Sequence, residues 1–137
     1  MGVSRDDFLD QVVQRGGPRD EQGTEHLVRV VLGLLAEHLV GADRLDLAGC
    51  LPGEYAAVVR DAPAADRPLS ADQFVAAVAG WAGTAATDGA LQDVGAVLGA
   101  VADLAGEDLL ERLLLQLPAG YGLLLNASQR ARPAGRT

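Results

Sequence analysis

Residues 4–59 recur at residues 70–125 with a constant offset of 66, and a chain that repeats itself at a fixed spacing is built from one supersecondary unit used more than once. Ser4-Arg5-Asp6-Asp7-Phe8 matches Ser70-Ala71-Asp72-Gln73-Phe74, Val31-Leu32-Gly33 matches Val97-Leu98-Gly99, and Leu51-Pro52-Gly53-Glu54-Tyr55 matches Leu117-Pro118-Ala119-Gly120-Tyr121. Val12/Val78, Gly17/Gly83, Gly23/Gly89, Val28/Val94, Ala36/Ala102 and Leu47/Leu113 keep the same register between those blocks. Low complexity in a chain rich in Ala, Leu and Gly is a weaker explanation. Ser-x-Asp-x-Phe and Leu-Pro-x-x-Tyr use residues that are scarce here. The expected organisation is one helical unit over 4–60, a linker over 61–69, a second unit over 70–125 and a disordered polar tail over 126–137.

Each unit opens on a helix start. Ser4 and Ser70 stand three residues before Asp7 and Gln73, the spacing of a capping box, with Val3/Phe8 and Leu69/Phe74 placed as hydrophobic staples. Phe8, Leu9, Val12 and Val13 define one apolar face, repeated by Phe74, Val75, Val78 and Ala79, until Gly16-Gly17 or Gly83 ends the helix. A second helix is predicted from about Gln22 to Val40, where Leu27, Val28, Val31, Leu32, Leu35 and Leu39 recur at steps of three and four. Gly33 and Gly99 lie inside it, at a cost of about 1 kcal/mol each relative to Ala, which suggests close approach of another helix. A third, shorter helix covers Asp43 to Leu51, with Asp108 to Leu117 as its counterpart, each stopped by proline. Tyr55, Val58 and Val59 then fold back on the unit. No period-two pattern appears, so the fold class is all-α: a tandem duplication of a three-to-four-helix unit packed as one compact bundle.

Charge narrows the partners. The chain has 137 residues and a net charge of −8. Removing the tail's Arg130, Arg132 and Arg136 leaves −11 on the rest, and an acidic surface repels nucleic acid and anionic membranes alike. The longest apolar run, Leu27 to Val40, is broken by Arg29, Glu37 and His38 and is too short to span a bilayer. Cys50 is the single cysteine, and no leader pattern opens the chain, so a cytoplasmic location is expected.

The search for chemistry returns little. His26 and His38 lie twelve residues apart and would project about 120° apart on one helix, so no metal site is expected, and Cys50 sits in an apolar helix with no base assigned to it. Acid pairs such as Asp6/Asp7, Asp43/Asp46 and Glu107/Asp108 cluster at helix starts, where the helix dipole favours them. No phosphate-binding glycine pattern occurs. A helix-turn-helix reader joined near Gly41-Ala42-Asp43 would turn Asp43, Asp46, Glu107, Asp108 and Glu111 toward phosphates, against electrostatics. The reading is therefore non-enzymatic, with no catalytic residue, cofactor or metal.

The recurring residues resemble a known bacterial family, domain of unknown function 2267. The resemblance rests on Asp7-Phe8-Leu9 opening a unit, on the Val31-Leu32-Gly33-Leu34-Leu35-Ala36 helix, and on Leu51-Pro52-Gly53-Glu54-Tyr55 closing it. It implies an all-helical two-repeat fold and carries no catalytic residue with it. The leading expectation is a module for protein interaction or self-assembly, with Tyr55, Trp81 and Tyr121 as candidate contacts because amphipathic aromatics anchor interfaces; ordinary core packing is the competing role for each. The alternative is a small-molecule or stress-signal binder with an apolar pocket between helices.

Overall fold

The computed structural model describes residues 4–15, 21–63, 69–82, 87–117 and 120–122. Among these, every regular element is helical: α1 (Arg5–Gln14), α2 (Glu21–Ala36), α3 (Gly41–Cys50), α4 (Gly53–Asp61), α5 (Ala71–Ala82) and α6 (Thr87–Gln116). The all-helical expectation is met. The 126–137 tail lies outside the described residues.

The start signals act as read. Ser4 Oγ accepts from the Asp7 amide at 3.2 Å. In α5 the box is reciprocal: Ser70 Oγ accepts from the Gln73 amide at 3.2 Å, and Gln73 Oε1 accepts from the Ser70 amide at 2.9 Å. Val3, one member of the proposed staple, lies outside the described residues. Pro52 caps α4 with extended backbone, and its carbonyl receives the amides of Tyr55 and Ala56 at 2.9 and 2.8 Å. A residue without an N–H suits that place, since the first helical amides have no partner within the helix.

Two boundaries differ from the sequence reading. α2 ends at Ala36, not Val40, as its last turn tightens: His38 and Leu39 donate three residues back to Leu35 and Ala36, both at 3.0 Å. Leu39 remains fully buried, so the apolar rhythm outlasts the helix that produced it. The second is the shortness of the join in the later segment, where the expected second and third helices are both present within α6 and meet at a kink. The break there is local, at Gly106, whose φ of 84° and ψ of 166° are non-helical.

Helices from the two segments interleave. α1 packs on both α2 and α6, α5 on both α6 and α2, and α3 on both α4 and α6. The core is aliphatic and continuous, running from Phe8, Leu9 and Val12 through Leu27, Val28, Val31, Leu32 and Leu47 to Phe74, Val78, Val94, Val97, Leu113 and Tyr121. Two aromatic pairs whose members lie 66 positions apart make like contacts. Phe8 meets Tyr55 with ring centroids 5.8 Å apart, and Phe74 meets Tyr121 at 5.4 Å. The Gly33 notch is shallower than expected: a methyl added there would meet Val58 Cγ1 at 3.9 Å, ordinary van der Waals distance.

Candidate interaction surface

Tyr55 and Tyr121, the candidate contacts, are both fully buried, in keeping with their competing role in core packing. Their Phe partners supply the reason, because an edge or tilted ring contact removes more apolar area than either ring buries alone. Trp81 falls within α5, but its side chain is outside the described residues.

The two tyrosines differ in their polar ends. Tyr121 Oη donates to the Leu69 carbonyl at 2.9 Å, and burial pushes its ionisation far above the ordinary range. Tyr55 Oη is buried with no acceptor for its proton among the described residues. Burial also raises the Tyr55 ionisation, opposed by the hydrogen-bonding and charge attraction of its neighbour Arg5. Arg29 stacks above the same ring, 5.6 Å from its centroid, while its Nε bonds Glu25 at 2.8 Å.

The acid pair Asp43/Asp46 has a structural task. Arg112 Nη1 on α6 reaches Asp43 at 3.1 Å and Asp46 at 3.0 Å. Gln116 adds bonds to the Val40 amide at 2.9 Å and to Asp43 at 2.6 Å. These contacts tie α3 to the far end of α6. A second tie joins Arg15, whose side chain is only 6% exposed, to Asp103. Arg44 caps the end of α4, donating to the carbonyls of Val59 and Ala62.

Among the described residues, three large apolar side chains stand in solvent: Val40 at 62% exposure, Leu45 at 61% and Leu115 at 87%. Val40 is the N-cap of α3, Leu45 lies in α3 and Leu115 in the last turn of α6, so all three belong to two helices that pack together. The sequence reading missed them. A signal was present at Leu113-Leu114-Leu115, because residues 100° apart on a helix cannot all face one core.

Candidate chemistry remains sparse. Cys50 is half-buried, and burial raises its thiol ionisation with a smaller push from Asp46. His26 is exposed and His38 half-buried. Among the described residues, no group of three or more His, Cys, Asp or Glu side chains is placed to hold a metal ion, and no helix is long and apolar enough to cross a membrane.

A helical bundle with a buried aromatic pair in each half, joined by ion pairs, defines a class by architecture alone. The chain belongs to the family described as "Uncharacterized conserved protein (DUF2267)", whose family model matches residues 5–124. Comparison with curated proteins gives no match, and comparison with solved structures gives none either.

Proposed function

We propose that the protein is a non-enzymatic interaction module, acting in the cytoplasm, that binds a protein partner or a second copy of itself. On this reading two copies of an ancestral helical unit have merged into one bundle, and the surface of α3 and the end of α6 makes the contact. The observation that carries the reading is the exposure of Val40, Leu45 and Leu115 on two helices that pack together. A single exposed leucine is ordinary. Large exposed apolar side chains on adjoining helices, in a chain of net charge −8, are the residue type that protein partners cover. The same charge argues against nucleic acid as the partner.

The test combines sedimentation velocity with capture of partners from the host lysate, for the wild type and for a Leu45→Asp, Leu115→Asp double variant. Both substitutions are at exposed positions, so far-UV circular dichroism should not change. Self-association or partner capture that the double variant loses supports the proposal. A wild type that is monomeric at every concentration and captures nothing overturns it.

A further inference from the structure

Both ring nitrogens of His38 are engaged. Nδ1 lies 2.8 Å from the Leu34 carbonyl, and Nε2 lies 2.9 Å from the Leu69 amide nitrogen. A carbonyl only accepts and a backbone N–H only donates, so the proton must sit on Nδ1 and the lone pair on Nε2. The same peptide region is gripped again, since Tyr121 Oη donates to the Leu69 carbonyl at 2.9 Å and the Tyr121 ring lies against His38 with centroids 6.1 Å apart. Three segments far apart in sequence thus meet at Leu69: the end of α2, the lead-in to α5 and the turn at 120–122.

We propose that His38 is a proton-operated latch on this junction. Neutral, it accepts the Leu69 amide and holds the α5 lead-in and the Tyr121 turn against α2. An imidazolium carries hydrogen on both nitrogens, so protonation sets two donors against each other across the same 2.9 Å gap and opens the latch. Among the described residues, the groups about the ring and its flanking segments offer no recorded replacement acceptor at Nε2. On its own element they are the Leu34 carbonyl, already bonded at Nδ1, and Glu37, which precedes it in the chain without a bond to the ring. On the α5 side they are the Leu69 amide and the exposed Asp72, and on the terminal turn the Tyr121 phenol. Burial keeps that phenol protonated through the range in which histidines titrate. The neutral ring closes the latch and the imidazolium opens it, so its hold is lost as pH falls.

The experiment uses the full chain labelled with nitrogen-15. The imidazole shifts of His38 report its tautomer, and amide exchange at Leu69, corrected for intrinsic pH dependence, reports the latch. At pH 8 the Nδ1–H tautomer is expected. Between pH 8 and pH 5 Leu69 should lose protection by about tenfold, the scale of one hydrogen bond. The His38→Gln variant presents an amide oxygen that does not titrate, and should keep its Leu69 protection at both values. An Nε2–H tautomer at pH 8 overturns the proposal. So does an equal loss of protection in wild type and variant, which would assign the effect to the carboxylates. Should the variant fail to fold, wild-type Leu69 protection that persists once the ring shifts show the imidazolium overturns it as well.

Discussion

The Tyr121 hydroxyl donates to the Leu69 carbonyl at 2.9 Å, joining the terminal turn to the residue before the α5 cap. Tyr55, 66 positions earlier and packed on its own phenylalanine, has no such acceptor. Removing the two hydroxyls should therefore have unequal effects. Tyr121→Phe strips a bond and leaves a carbonyl unmet, a loss of about 1–3 kcal/mol. Tyr55→Phe removes a buried hydroxyl that has no acceptor and gives up only the attraction of Arg5, so it should cost less. Urea denaturation of the two variants measures the difference, and equal losses would contradict it.

Alkaline pH tests the same burial. Both tyrosine ionisations are raised in the folded state by desolvation. The phenols ionise first in the unfolded chain, from about pH 10, so their contribution is complete below that value and is lost as pH rises through the folded range. Stability should decline above about pH 10, with tyrosinate absorbance appearing together with loss of helical signal. The chain has two tyrosines, so the Tyr55→Phe, Tyr121→Phe double variant should flatten that decline.

Two glycines predict opposite outcomes for the same substitution. Gly33 is inside α2 with space for a methyl, so Gly33→Ala should stabilise by about 0.5–1 kcal/mol. Gly106 has open space too, but its φ of 84° disfavours any side chain. Gly106→Ala should destabilise by about 1–3 kcal/mol. Thermal melts of the pair, moving in opposite directions, would bear this out.

Arg112 and Arg15, which form ion pairs across the segments, should respond differently to truncation. Arg112 is nearly half exposed between its carboxylates, so Arg112→Ala should cost no more than about 1 kcal/mol, and less in high salt. Arg15 is nearly covered where it meets Asp103. Arg15→Ala removes packing along the side-chain stem as well as charge, and its loss should be the larger and the less sensitive to salt in a denaturation series.

What could be read in the sequence were features written in local chemistry. Ser4 and Ser70 announce helix starts because a hydroxyl at that spacing satisfies a free amide, and Pro52 announces α4 because it has no amide to satisfy. The end of α2 was hidden because Leu39 is buried from a non-helical position, and periodicity reports burial without distinguishing the backbone beneath it. The candidate site was read least well. A tyrosine's apolar ring and polar tip suit a core and an interface equally, and which prevails depends on whether another segment supplies a ring, as Phe8 and Phe74 do. Val40, Leu45 and Leu115 show the converse: apolar letters that the packing leaves in water.

The seating of α1 against α6 sets an order of events during synthesis. Arg15 and its partner Asp103 are 88 residues apart, and at about 5–20 residues per second that interval is roughly 4–18 s. Over that time α1 can settle on α2, but its α6-facing side has nothing to meet. The nascent chain must carry an unfinished surface until α6 has been made, so the bundle does not close one half at a time.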